Sequence, residues 1–327
     1  MTFKQNWEKT DLALKLPYET IEAMLKQFLP TKTMYSCECI VGGCANLNYK
    51  IYVDIDENPY ILRLYLRDFK AAYREQQLSL LLKDKKTIPI PEVYFIGHYQ
   101  NYQFAFNQYL SGITLRDLLL SDQAFDIKQL MFDTGVLANQ IHTYTFRQGG
   151  FFDNKLQPLP LTTTYLEYAL NCLNKDYIIT LLGQSNTARL TYYFQQLESF
   201  FPSLDEKQLV HGDFDPANIL VNYQEGRWQI SGVLDWEFAF SGSPLFDVAN
   251  MLRYAHHLPS HFQDAFLKGL TLSYTLPPHW QTTIYLLNLL SLLDCLSRSS
   301  AKRPNQQADI YELIIYFMQQ LTKEHGL

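Results

Sequence analysis

Apolar side chains recur at every second residue between residues 35 and 66, and at helical spacing beyond Ser111-Gly112. A period of two needs a sheet and a period of 3.6 needs helices, so the chain must combine a sheet unit with a larger helical one. The segments Tyr35–Val41, Leu47–Ile55 and Tyr60–Leu66 are expected as strands. Tyr49, Ile51, Val53 and Ile55 share one face of the second; Tyr60, Leu62, Leu64 and Leu66 share one face of the third, with Ile61, Arg63 and Tyr65 opposite. Gly42-Gly43-Cys44-Ala45-Asn46 and Asp56-Glu57-Asn58-Pro59 are turns, and connections this short favour an antiparallel meander. Helices are expected over Tyr18–Leu29 and Lys70–Lys83, and two further strands near Val93 and Phe104 close the unit at about Leu110. Helices follow over Ile127–Tyr144, Tyr165–Leu173 and Ala188–Phe200. Asp205–Asp235 reads as loop, strand, turn and strand, and the chain beyond Pro244 is helical with breaks at Pro259 and Pro277-Pro278. The expected organisation is α+β, with residues 1–110 as a small lobe carrying a five-stranded antiparallel sheet and residues 111–327 as a larger, mainly helical lobe. A length of 327 residues suits two such units.

Composition narrows the partners. The net charge is 27 − 33 = −6, which argues against nonspecific nucleic-acid binding. The charge is uneven: residues 1–110 carry 13 − 12 = +1 and residues 111–327 carry 14 − 21 = −7. The second part suits a cationic ligand or a metal. The first ten residues show no secretory pattern, and the uncharged stretch Trp280–Leu293 is too short to span a bilayer, so a cytoplasmic protein with no membrane partner is expected. Five scattered cysteines, 37, 39, 44, 172 and 295, without a C-x-x-C pair, read as reduced thiols packed in cores.

The chemistry concentrates in Leu209–Glu237. Ile219–Asn222 and Trp228–Leu234 form a hairpin around Gln224-Glu225-Gly226. The residue entering the first strand then lies beside the one leaving the second, which brings Asn218 and Asp235 together. Asp213 stands five residues before Asn218 in a loop turned by Gly212 and Pro216. Two carboxylates and an amide converging from loops suit Mg²⁺, which takes few protein ligands and completes its shell with water and phosphate. His211 reads as a loop-shaping residue that bonds backbone, and Trp236 as packing.

His211-Gly212-Asp213 followed by Asn218, then Asp235-Trp236-Glu237, resembles the signature of the aminoglycoside phosphotransferase-like small-molecule kinases, whose members include aminoglycoside, choline, homoserine and methylthioribose kinases. The dense match covers about 40 residues, and Pro244 and Asp247 follow as in many relatives. The resemblance implies a bilobal protein-kinase-like fold and transfer of the γ-phosphate of ATP or GTP to a hydroxyl of a small molecule. It implies Asp213 as catalytic base and Asn218 and Asp235 as Mg²⁺ ligands. Gly43 and Asn46 belong to a loop over the phosphates, and Arg63, held by Glu75, touches them; Gln108, Tyr109 and Leu110 offer backbone to the purine. Asp215 and Glu237 are candidate acceptor contacts. Arg63 departs from the lysine of protein kinases and changes the geometry of phosphate contact. The acceptor implied is a small hydroxyl compound, with the acidic second part suiting but not requiring a cation, and a monomer or homodimer is expected. Three other classes remain open on the residues. One is a nucleotide-binding pseudokinase, which the joint presence of Asp213, Asn218 and Asp235 disfavours. Another is a metal-dependent phosphohydrolase, which would need a second His and Asp cluster. The third is a nucleotidyl transferase.

Overall fold

The computed structural model describes residues 3–8, 15–40, 46–53, 58–83, 88–300 and 302–327. Helix α1 (Tyr18–Phe28) precedes strands β1 (Met34–Ile40), β2 (Leu47–Val53) and β3 (Tyr60–Tyr65). Helix α2 (Ala71–Lys83), β4 (Val93–Tyr99) and β5 (Tyr102–Gln108) follow. All pairings are antiparallel, but the order is β1-β2-β3-β5-β4. The simple meander therefore ends at β3. The chain crosses by α2 to the far edge, and β5 returns between β4 and β3.

Strand periodicity assigns the two faces of this sheet. Leu47, Tyr49, Ile51, Leu62, Leu64, Phe104 and Phe106 pack under α1 with Ile21, Met24 and Leu25. The alternate residues Tyr65 and Ala105 meet Ala71 and Ala72 of α2. Arg63 shares that second face, which brings its side chain against Glu75 of α2. The faces expected for β2 and β3 are the faces observed, except that Ile55 lies outside the described residues.

The helical region comprises α3 (Leu115–Leu119), α4 (Ile127–His142), α5 (Tyr165–Leu173), α6 (Asp176–Leu182) and α7 (Gln184–Gln196), then α8 (Leu245–Leu252), α9 (Ser260–Leu270), α10 (Trp280–Ser297) and α11 (Pro304–His325). Two small sheets brace it. One has the order β11-β10-β6, from β6 (Ile113–Thr114), β10 (Ile219–Gln224) and β11 (Arg227–Val233). The other runs β8-β7-β12-β9, from β7 (Gly150–Phe152), β8 (Pro158–Leu159), β9 (Gln208–Val210) and β12 (Phe240–Gly242). Helices α4 and α9 cross at a pair of glycines: a Cβ on Gly135 would lie 2.0 Å from the Phe266 carbonyl oxygen, and one on Gly269 would lie 2.1 Å from that of Phe132. The core joins Leu78 and Leu82 of α2 to Leu115, Ile219, Val233, Trp236 and Val248, so α2 contacts both the sheet and the helical region. Phe3 is buried in the core formed by α5, α7, α10 and α11, which puts Phe3–Glu8 on the helical region rather than on the sheet. Among the described residues no helix is long and apolar enough to cross a membrane.

Candidate active site

The hairpin of β10 and β11 pairs Ile219 with Val233, and the Leu234 N–H continues the ladder by donating to the Asn218 carbonyl at 2.8 Å. Asn218 and Asp235 thus flank the open end of one hairpin. Asp235 adopts the left-handed conformation (φ 65°), which ends the strand sharply before the 3-10 turn Trp236–Phe238. Asn218 Nδ2 donates both to the Asp213 carbonyl (2.8 Å) and to Asp213 Oδ2 (2.9 Å). Both amide hydrogens are used on Asp213, which leaves Asn218 Oδ1 as its lone-pair donor.

The loop carrying Asp213 is fixed from below. Asp247 of α8 is fully buried and accepts from the His211 N–H (2.9 Å), the Gly212 N–H (2.9 Å) and His142 Nε2 (3.0 Å). Asn250 Nδ2 donates to the Gly212 carbonyl at 3.0 Å. Gly212 has φ +83°, and a Cβ there would lie 2.3 Å from the Phe238 carbonyl oxygen, so the turn requires glycine. The His211 ring bridges the two loops: Nε2 donates to the Leu234 carbonyl (2.9 Å), and Nδ1 accepts the Asp213 N–H (3.2 Å). Those partners fix its tautomer with the proton on Nε2, a bracing role that agrees with the reading of His211 above. Trp236 is buried, lies against the His211 ring and donates Nε1 to the Val233 carbonyl at 3.0 Å.

A second cluster faces this one from the sheet. Arg63 ion-pairs with Asp235, lies 3.3 Å from Glu75 Oε1 and lies 3.6 Å from Glu237 Oε2. Tyr65 donates its hydroxyl to Glu75, and Asn46 Nδ2 donates to Glu237 at 2.8 Å. Three carboxylates therefore surround one guanidinium. Burial, and then the Asp235 charge, push the Glu237 carboxyl up to about 7. Burial likewise raises Glu75 despite Arg63. Arg63 Nε and Glu237 Oε1 are buried and have no hydrogen-bond partner among the described residues. An excess of negative charge and orphaned polar atoms fit a polyvalent cation carrying phosphate oxygens. Among the described residues no group of three or more His, Cys, Asp or Glu is placed to hold a metal.

The remaining sequence-derived residues fall as follows. Gly43 lies outside the described residues. The Gln108 N–H donates to the Glu92 carbonyl (2.8 Å) as β5 ends, and Tyr109 lies under the Lys50 ammonium, 4.4 Å from the ring centre. Leu110 packs near Gly232 of β11. Asp215 is 5% exposed, and its Oδ1 accepts the Ala217 N–H at 2.8 Å. Glu237 sits with Asn46 and Arg63, apart from Asp215.

Lys4 carries no signal in the sequence, yet its Nζ lies 3.0 Å from Asp213 Oδ1 and ion-pairs with Asp215. Burial alone would raise Asp213; Lys4 beside it holds the carboxyl below the usual range. Sequence reasoning also passed over Asn250 and Arg253, which α8 carries to the Gly212 carbonyl and to Asn288 and Ser291 of α10.

Comparison with known proteins gives a consistent picture. A model of a phosphotransferase enzyme family (APH) matches residues 38–283. Among solved structures, aminoglycoside phosphotransferase APH(4)-Ia superposes with a TM-score of 0.69 at 18% identity, covering 93% of this chain and 99% of that one. Spectinomycin phosphotransferase APH(9)-Ia, in complex with ADP and spectinomycin, gives 0.63 at 14% identity, with 93% and 99% covered. A GDP complex of wild-type aminoglycoside 2'-phosphotransferase-IIIa gives 0.67 at 17% identity, with 93% and 99% covered. At these identities the likeness is one of fold. A curated relative from Mus musculus, acyl-CoA dehydrogenase family member 10, is 22% identical over 258 residues, covering 76% of this chain. The chain spans 23% of the length of that relative.

Proposed function

The chain belongs to the phosphotransferase enzyme family, and from that premise we propose that it moves the γ-phosphate of ATP or GTP to a hydroxyl of a small molecule, an aminoglycoside-like compound or a small amino alcohol or sugar. One observation carries this reading: Asp213, Asn218 and Asp235 form one braced unit at the mouth of a hairpin, facing the Arg63 cluster.

Asp213 is the base. Asn218 holds Oδ2, so Oδ1 is the oxygen left to accept the acceptor's hydroxyl hydrogen. It takes that proton as the new oxygen–phosphorus bond forms and the bond to the departing nucleoside diphosphate breaks. Asn218 Oδ1 and Asp235 would hold Mg²⁺, which when bound offsets charge developing on the phosphates. Arg63 would touch the donor phosphates, with Glu75 setting its position. Asn46 and Gly43 belong to the loop over the phosphates, and Gln108, Tyr109 and Leu110 present backbone to the purine. Glu237 belongs with the donor through Asn46 and Arg63, and Asp215 with the acceptor. The transition state is loose, so positioning and charge supply most of the acceleration.

The nucleotide-binding pseudokinase is the second reading. It draws on the Arg63–Asp235 ion pair, which ties up one of the proposed metal ligands. Purified protein incubated with Mg²⁺ and ATP or GTP against aminoglycosides, choline, amino alcohols and sugars separates the two. Phosphate transfer to one of these acceptors that is lost in Asp213→Asn supports the kinase. Nucleotide binding with no transfer to any of them supports the pseudokinase.

A further inference from the structure

The base is already occupied, and its occupant belongs to the same chain. Lys4 Nζ sits 3.0 Å from Asp213 Oδ1, the oxygen not held by Asn218, and ion-pairs with Asp215. We propose that Phe3–Glu8 is an intramolecular pseudosubstrate strap whose Lys4 ammonium fills the acceptor subsite and must leave before a hydroxyl can reach Asp213. The proposal rests on Asp213 being the base.

Four contacts hold the strap, all on the helical region. Phe3 is 3% exposed, and its ring lies 5.1 Å from that of Tyr254. Trp7 Nε1 donates to Asp309 Oδ2 at 2.8 Å, the oxygen that also accepts the Tyr254 hydroxyl. The Glu8 carboxylate accepts the N–H groups of Asn305 (2.8 Å) and Gln306 (3.2 Å) in the first turn of α11, where backbone donors lack helical partners. The Lys4 ammonium is the fourth. Against them stands the backbone: Phe3 and Lys4 both have positive φ, 42° and 62°, a region costly for residues with a side chain. The strap is thus anchored by side chains and strained at the residue that enters the site, as suits a removable plug.

Charge sets what can displace it. Asp213 and Asp215 face Lys4, and the buried Arg253, bonded to Asn288, Asn250 and Ser291, contributes positive potential nearby. Burial disfavours the Lys4 ammonium, but the two aspartates more than offset it and hold its pKa above the ordinary range. An acceptor bearing its own cationic group competes for both carboxylates, whereas a neutral one leaves them unpaired.

Two measurements on the full chain test the strap. The first is acylation of lysines by a water-soluble active ester, read by peptide mass spectrometry. Lys4 should react at least tenfold more slowly than the exposed Lys268, and Trp7→Ala and Asp215→Asn should each raise its rate severalfold. The second is Mg²⁺-dependent hydrolysis of ATP and GTP with water as acceptor, which Lys4→Met and Trp7→Ala should each raise severalfold. Lys4 reacting like Lys268 in the unmodified protein overturns the strap. So does a Lys4 that is protected while Lys4→Met and Trp7→Ala hydrolyse nucleotide at or below the starting rate. Absence in every form of both hydrolysis and transfer to any of the acceptors above would instead overturn the phosphotransferase reading, and the acylation rates would still decide where Lys4 sits.

Discussion

Hydrogen-bond accounting at single side chains separates the three acidic and amide positions of the loop. Asn218 spends both amide hydrogens on Asp213, so an Asp213→Asn substitution replaces an acceptor with a group that must turn its own oxygen toward Asn218. The isosteric amide can do this, and the hairpin holding Asn218 and Asp235 is unaffected. Nucleotide affinity measured by calorimetry should stay within a few-fold. Transfer should fall about 10² to 10⁴-fold, or roughly 3 to 5 kcal/mol of transition-state stabilisation. Turnover within a few-fold of the starting enzyme would remove Asp213 as the base. These residues were legible in the sequence because two strands and a tight turn dictate which side chains meet at the hairpin mouth. Lys4 was not, because its partners lie 209 and 211 residues away and no local pattern encodes such a contact. Glu237 was readable as part of the motif but not as to its neighbours: only the approach of Asn46 from the sheet places it beside Arg63.

At the scale of elements, long periodic segments were legible and very short ones were not. Helices α1, α2, α4 and α5 and strands β1 to β5 lie close to their expected spans, since each is long enough to complete several repeats of its period. Strands of two or three residues, β6 to β9 and β12, complete barely one period and show no alternation; α6 is equally brief at 7 residues. The order of β4 and β5 was hidden because pattern sets which face is buried, not which strand is the neighbour. Two substitutions probe what holds the elements. Asp247→Ala strips a buried carboxylate from two loop N–H groups and from His142, leaving three donors unsatisfied. Unfolding in urea should show a loss of about 3 kcal/mol or more. A change below about 1 kcal/mol would mean that the loop carrying Asp213 is held elsewhere. Gly135→Ala puts a methyl group into the backbone of α9, where no side chain can yield. It should cost about 1 to 3 kcal/mol or more by forcing α4 and α9 apart. An alanine replacement at an exposed position of α4, such as Lys128→Ala, should stay within about 0.5 kcal/mol and serves as the control.

Across the whole molecule, the sheet and the helical region meet through polar contacts at the site itself: Arg63 with Asp235, Asn46 with Glu237, and Arg74 with the Glu237 carbonyl at 3.2 Å. These contacts join the sheet to the hairpin mouth by charge, while α2 joins it to the helical core by packing. On the proposed reading, a Mg²⁺–nucleotide complex between them would compete with Arg63 for Asp235 and would offer Arg63 phosphate oxygens in exchange. Such a ligand would bridge the same elements that the ion pair bridges now, so binding should couple to global stability. A ligand that binds only the folded state at 100 times its Kd adds about 2.7 kcal/mol, worth several degrees in Tm. The expected result is a rise of that size with Mg²⁺ and ATP or GTP together, and a smaller rise with nucleotide plus EDTA. In Asp235→Asn the metal-dependent part should disappear, because the amide supplies no charge to the ion. The same variant also weakens the pairing of Arg63, so its Tm without ligand should fall rather than rise. If Asp235→Asn keeps the full Mg²⁺-dependent shift, the ion is held by other groups and the role given to the hairpin mouth is wrong.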